Sequence, residues 1–312
     1  MLKKNIAPIF ALVLIIIFFI QPEIVRSGAI AGITLWYKKI LPFLFPMFIL
    51  SNILLQYSLL YELLEKVSKI SKKLLGSAFA IIPYIIGIIS GYPSAAVAID
   101  SMVKSNSINQ SEANYLLYFT NICSFQFISA VVVMSMLEDK SLLIYVTIPH
   151  FIGAIVLSSF FKKDFYITTG TKKRNIIKHV SFNKAFSNAI TKSIISILTI
   201  CGVIIIFSII SEYILTFIPT TYTSNITDIF IGLIVGALEI TNGCNVVSSS
   251  CLPIEVKLIL INFLISFSGF SIIFQTITVV TNFEIGILKY IKTKFVYGII
   301  SAFITVLMLI IM

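Results

Sequence analysis

Long hydrophobic stretches, separated by short polar or charged connections, run the length of this 312-residue chain. Two of the stretches are interrupted from within. One break is Ser90-Gly91-Tyr92-Pro93-Ser94, between Ile81–Ile89 and Ala95–Ile99. The other is Glu239-Ile240-Thr241-Asn242-Gly243-Cys244-Asn245, between Ile229–Leu238 and Val246–Leu252. Helix breakers and an acid at membrane depth are costly unless protein or a water-filled cavity surrounds them. Two such breaks, in corresponding places of two halves, point to a transporter-like binding site near the bilayer midplane.

The pattern predicts an all-α polytopic membrane protein. Residues 1–23 form an extra N-terminal transmembrane helix, retained rather than cleaved, because no small-x-small site follows its apolar core. Residues 24–161 form a first repeat and 188–312 a second, joined by a basic cytoplasmic loop, 162–187. Ile24–Ile40, with Arg26, Trp36, Tyr37, Lys38 and Lys39, reads as an interfacial amphipathic helix. Leu41–Leu60 crosses the membrane, and a net-positive segment with Glu62, Glu65, Lys66, Lys69, Lys72 and Lys73 follows on the cytoplasmic side. The arms of residues 77–103 are each too short to span, so they read as a re-entrant hairpin. Ala113–Leu137 and Leu142–Phe161 cross next. Ile190–Ile218 opens the second half, residues 229–252 hold its hairpin, and Val256–Val280 and Phe295–Met312 complete it. Each half is helix, re-entrant hairpin, interrupted helix, helix. Three net crossings per half make the two copies an inverted repeat.

The charge distribution sets the expected orientation. Lys3 and Lys4 place the N-terminus in the cytoplasm of a multi-pass cell-membrane protein, and Lys162, Lys163, Lys172, Lys173, Arg174, Lys178 and Lys184 mark the long loop as cytoplasmic. Lys289, Lys292 and Lys294 mark a second inner connection. With 58% hydrophobic and 12% charged residues, the net charge of +10 does not describe a nucleic-acid surface. The four cysteines form no C-x-x-C pair and read as small buried hydrophobes. His150 and His179 have no evident metal partners, and no protease, P-loop or hydrolase motif is present. No enzyme activity, metal or cofactor is expected, apart from a proton or sodium ion as coupling ion.

Glu239 is the sharpest candidate: a carboxylate deep in an apolar arm suits a coupling group or the partner of a polar ligand. Thr241, Asn242 and Asn245 flank Gly243, read as the glycine of a hairpin tip. Gly91, Tyr92, Pro93 and Ser94 form the other tip. The helix after each hairpin carries its own polar interruption. In the first half this holds Asn121, Ser124 and Gln126; in the second, Ser266, Ser268 and Gly269, followed by Gln275. These side chains suit either ligand contact or hydrogen bonding between helices. Asp100 and Glu212, nearer the expected membrane edges, read as solvated or structural.

Four motifs carry a family resemblance: Leu41-Pro42-Phe43-Leu44-Phe45-Pro46-Met47-Phe48-Ile49-Leu50-Ser51; Ser90-Gly91-Tyr92-Pro93; Leu238-Glu239-Ile240-Thr241-Asn242-Gly243; and Ser266-Phe267-Ser268-Gly269-Phe270-Ser271 with Gln275. In this order they resemble the YlbJ-type sporulation integral membrane proteins, of the nucleoside-recognition or gate-domain group, over roughly residues 25–312. The stretch Thr120–Gln126 departs from that group in having neither Gly nor Pro. The resemblance implies a role in sporulation, two re-entrant hairpins, and a nucleoside-like solute. Two functional readings follow. One is a transporter-like protein for a small polar solute, with the lipid bilayer and other sporulation membrane proteins as partners and no nucleic acid. The other is a non-transporting scaffold or gate component of a spore-envelope assembly complex.

Overall fold

Backbone polar groups inside a bilayer must find their partners within the protein, and a helix satisfies them within its own segment. The computed structural model describes residues 2–54, 56–57, 66–162, 181–217 and 225–311. Among these described residues every regular element is helical. Glu62, Glu65, His179, residues 218–224 and most of the basic loop (Lys163, Lys172, Lys173, Arg174 and Lys178) lie outside them. Among the described residues, four helical spans are long and apolar enough to cross a membrane: Lys140–Phe161, Phe182–Thr216, Ile254–Val279 and Ile287–Ile311. The bent pair Leu12–Ile20 and Pro22–Lys38 adds a fifth if counted as one span. The chain is an all-α polytopic membrane protein.

Helix α1 (Leu2–Ile20) meets α2 (Pro22–Leu35) at a 106° bend. Pro22 suits the start of α2, where a missing N–H costs nothing. From there the chain stays helical through a π-helical turn, Trp36–Ile40, into α3 (Leu41–Leu54). The 24–40 segment, expected at the membrane surface, packs along α9 (Phe182–Phe217), a helix of 36 residues. Two small residues permit this approach: a Cβ at Gly28 would lie 2.7 Å from Ile209 Cα, and one at Gly32 would lie 3.0 Å from Ile205 Cα. The Trp36 indole N–H donates to the Ile197 carbonyl at 3.1 Å, and Asn52 Nδ2 donates to Ser193 Oγ at 3.1 Å. The aromatic anchor thus holds a neighbouring helix.

A short basic helix, α4 (Ser68–Leu75), precedes the first hairpin, α5 (Ile81–Ser90) and α6 (Ser94–Lys104). Gly91 ends α5 with φ 74°, a conformation that glycine adopts without steric penalty. Next comes α7 (Gln110–Thr120), whose first turn is capped by Asn109, its side chain accepting the Glu112 N–H at 2.7 Å. Helix α7 stops at Asn121. Residues 121–124 are non-helical, and the chain then regains a helical path that includes the π-helical stretch Phe127–Leu137. Helix α8 (Leu143–Phe161) completes the half.

After α9 the order recurs. The second hairpin is α10 (Asn225–Leu238) and α11 (Ile240–Ser249). Its break is the single residue Glu239, in extended conformation at φ −142°, ψ 116°. The interrupted helix is α12 (Ile254–Phe267) and α13 (Gly269–Val279), broken by positive φ at Ser268 (76°) and Gly269 (69°). Helix α14 (Ile287–Ile311) ends it. The order helix, hairpin, interrupted helix, helix is therefore present in both halves.

Gly243 is not at the hairpin tip; it lies within α11, without a positive φ. Glycine is required there because the hairpin arms touch: a Cβ would strike the backbone of Gly236 on α10. Asp100, expected to be solvated or structural, is buried and structural. Its carboxylate accepts the N–H groups of Thr281 (2.9 Å) and Asn282 (2.7 Å) and the Asn282 side-chain amide (2.5 Å), tying α6 to the connection before α14. Glu212 accepts the Ser27 hydroxyl at 3.2 Å, between α9 and α2.

Candidate functional site

The two broken elements of each half meet tip to break. Gly91 is packed so tightly on the first interruption that a Cβ there would lie 3.0 Å from Ser124 N. In the second half the interruption packs on the hairpin: a Cβ at Gly269 would lie 2.8 Å from the Gly236 carbonyl oxygen. Beside these contacts lies a partly open cavity of about 50 Å³, room for a few water molecules.

Seven of the sequence-derived candidates line it: Gly91, Tyr92, Ser124, Gln126, Glu239, Thr241 and Gln275. They come from both hairpins and both interrupted helices. The opposite wall is aliphatic: Ile40, Leu44 and Met47 from the chain entering and forming α3, and Ile200 and Ile204 from α9. Sequence reasoning missed this wall, because a face of Ile and Leu on a spanning helix looks the same whether it meets lipid or a ligand.

Glu239 is buried and also caps α11. Its Oε2 accepts the Asn242 N–H at 2.8 Å. A carboxylate is favoured there because the first N–H groups of a helix have no partner within it. Gln275 Nε2 donates to Ser271 Oγ at 3.2 Å on the next wall. The Tyr92 hydroxyl is buried without a hydrogen-bond partner.

The other candidates lie off the cavity wall. Pro93 and Ser94 sit behind the first tip, with Ser94 Oγ buried and unpartnered. Asn242 contributes its backbone N–H to Glu239, and Asn245 points outward, exposed. Ser268 donates to the Ser266 carbonyl at 3.3 Å within the second break, and Gly269 is a packing glycine. Asn121 and Ser266 belong to a buried network behind the cavity. Asn121 Nδ2 donates to Thr276 Oγ1 and to the Tyr290 hydroxyl, both at 2.8 Å.

That network contains two basic residues which the sequence reading did not place in the site. His150, from α8, accepts the Cys123 N–H on Nε2 at 3.0 Å. The proton is thereby assigned to Nδ1, which lies 2.8 Å from Ser266 Oγ and 3.1 Å from the Tyr297 hydroxyl. Tyr297 in turn donates its own proton to the His150 carbonyl at 2.6 Å. One imidazole therefore bridges the first break and the turn before the second.

Lys294 was expected in an inner connection; it is fully buried on α14. Its Nζ donates to the Asn121 carbonyl and lies over the rings of Tyr290 (5.6 Å) and Tyr297 (5.3 Å). The signal was available in the spacing. Tyr290, Lys294, Tyr297, Ser301 and Thr305 recur at three- and four-residue intervals, a polar stripe on one helix face.

The fold and the cavity define a multi-pass helical membrane protein with a small, mainly apolar pocket where its broken elements meet. Comparison adds a relative. The chain is 24% identical over 318 aligned residues to the sporulation integral membrane protein YlbJ of Bacillus subtilis (strain 168), covering 90% of this chain and 77% of that protein. This supports the YlbJ-type resemblance carried by the four motifs. No family model matches the chain, and no solved structure matches it at a significant level.

Proposed function

We propose that this protein is a transporter-type carrier for a small polar solute, built from two gate-like repeats of opposite orientation with the N-terminus in the cytoplasm. The observation that carries this reading is the convergence of seven polar or tip residues, from all four broken elements, on one cavity that includes the Glu239 carboxylate. Matched breaks that meet at one pocket suit a carrier, which needs a site near the midplane reachable from either side, and on this reading the pocket widens around the solute, because its open space is only about 50 Å³. Glu239 and Gln275 bind the polar end of the solute, Ser124 and Gln126 complete its hydrogen bonds, and the aliphatic wall on α3 and α9 covers its flat or apolar part. The similarity to YlbJ supports a setting in sporulation. The gate-domain resemblance places nucleosides first among the solutes to try.

The test is the melting temperature of the detergent-purified chain against nucleosides, nucleobases, amino acids, dipicolinate and small sugars. A ligand bound only by the folded state stabilises it by about 2.7 kcal/mol at a hundredfold excess over Kd. A shift that Glu239→Gln abolishes identifies the solute class. If no compound shifts the melt at any pH, with or without sodium, the carrier reading fails and the scaffold reading takes its place.

A further inference from the structure

We propose that α4 and the end of α8 form a binding site for the headgroup of an anionic phospholipid. Ile70 and Leu74 sit in the acyl layer, and Lys69, Lys73 and Lys162 surround the phosphate. The site goes beyond the carrier reading and does not rest on it.

Helix α4 lies at the level where two spanning helices end. Helix α8 stops at Phe161, and the next residue, Lys162, lies against α4. Its Nζ donates to the Lys73 carbonyl at 3.2 Å, and its stem would lie 3.1 Å from a Cβ at Gly76. Tyr118 joins this end of α8 to the start of α14. Its ring packs edge-on against Phe161 at 5.7 Å, and the Lys289 ammonium lies 5.9 Å from its centre. A basic helix beside the ends of two spans stands at the boundary between acyl chains and headgroups.

The side of α4 that turns outward is fixed by the side that is held. Ser71 and Leu75 are buried. Ser71 Oγ donates to the Ser77 carbonyl at 2.6 Å and accepts the Ile81 N–H at 3.1 Å. The Tyr115 hydroxyl bridges the Leu75 carbonyl of α4 (2.8 Å) and the Ser158 carbonyl of α8 (3.1 Å). With that face tied down, the helical repeat brings Ile70 and Leu74 together as an outward ridge, 60% and 55% exposed. Lys69 and Lys73 form a parallel row beside it, both exposed.

The occupant follows from these neighbours. At the same level the last turn of α8 presents Phe160, 67% exposed, so the apolar ridge adjoins a surface that acyl chains cover. Burying the ridge in those chains removes apolar area from water. Long lysine stems then carry their ammonium groups outward to the phosphates. Lysines gathered at this boundary favour a leaflet of negative headgroups, as on the cytoplasmic side, over a zwitterionic one.

The experiment places a reporter on the ridge. The chain has one tryptophan, Trp36, so the wild type subtracts as background from the full chain carrying Ile70→Trp in vesicles. Brominated acyl chains quench an indole that they touch. Brominated phosphatidylcholine is expected to quench the introduced indole. Brominated phosphatidylglycerol, as a minor component of plain phosphatidylcholine, is expected to quench it more than the same fraction of brominated phosphatidylcholine. Each lysine near an anionic surface favours it about fivefold, so two account for an excess association of at most about 25-fold. That excess is expected to be lost in Lys69→Gln/Lys73→Gln and kept in Lys184→Gln/Lys192→Gln on α9. An indole that phosphatidylcholine does not quench overturns the proposal, because the ridge then meets water or another protein. Equal quenching by the two lipids overturns it too, as does an excess lost in the α9 variant but kept in the α4 one. Leu74→Trp, one turn on, carries the same test if Ile70→Trp does not fold. The readout is lipid contact rather than solute binding, so it fails separately from the carrier reading.

Discussion

Glu239→Gln and Glu239→Ala separate the cap of α11 from the charge of the cavity. In the wild type Oε2 accepts the Asn242 N–H at 2.8 Å. Glutamine keeps a carbonyl oxygen at nearly the same position, so the N–H retains its acceptor and only the charge is lost. That charge at a helix N-terminus contributes about 0.3–1 kcal/mol. Removing it also relieves the cost of burying an ion, so the two effects offset each other. Glu239→Gln is therefore expected within about 1 kcal/mol of wild type. Alanine removes the cap, worth about 1 kcal/mol, and strands a buried N–H at a further cost of about 1–3 kcal/mol. The expected loss for Glu239→Ala is about 2–4 kcal/mol. Reversible unfolding in mixed micelles titrated with a denaturing detergent measures both. Equal losses for the two variants would refute the cap, and a loss above about 3 kcal/mol for Glu239→Gln would show that the charge itself holds the hairpin.

Three further outcomes follow from the packing. Gly243→Ala places a methyl against the Gly236 backbone, which cannot rotate away, and should cost at least about 1–3 kcal/mol in the same unfolding assay. Asp100→Ala strands the N–H groups of Thr281 and Asn282 and should cost about 3 kcal/mol, with Asp100→Asn intermediate because it retains one acceptor oxygen. Outside the membrane span, the Ser141 hydroxyl and N–H donate to Asp139 and hold its carboxyl below the ordinary carboxylate range. A folded-state value below the unfolded one contributes stability that is present above about pH 4 and fades as the pH falls through the folded value. A carbon-13 titration should show the Asp139 value rising in Ser141→Ala, and an unchanged value would remove the hydroxyl as a cause.

Much of the architecture was legible because membranes make interruptions conspicuous. Ser90–Ser94 and Glu239 stood out as polar residues inside apolar runs, and both mark the places where helices end. The interruptions at Asn121–Ser124 and Ser268–Gly269 were readable for the same reason. What failed was the inference from residue type to local role. Gly243 was assigned a turn because glycine permits one, yet its neighbour Glu239, with an extended backbone and a capping side chain, makes the turn alone. Glycine at 243 answers to Gly236, seven residues earlier, a contact between helices that no local rule contains. Lys294 was grouped with Lys289 and Lys292 because a charge ledger sums residues without regard to helix face. Lys292 is exposed, whereas Lys294, two positions on, turns inward. His150 was overlooked because its partners, Cys123 and Ser266, lie 27 and 116 residues away in sequence.

Helix α9 has one more consequence, which follows from its length. Its 36 residues extend about 54 Å, against a hydrocarbon layer of about 30 Å. Even at a tilt of about 40°, the steep end of what spanning helices adopt, about 26 residues fill that layer and about ten protrude. The exposed Lys184 and Lys192 near the start of the helix are placed to reach lipid phosphates from the protruding end. With α2 and α3 fastened along its side, α9 is then a mast stepped in the headgroups. Because Ile200 and Ile204 sit on this same continuous helix, the headgroup anchor and part of the cavity wall belong to one element.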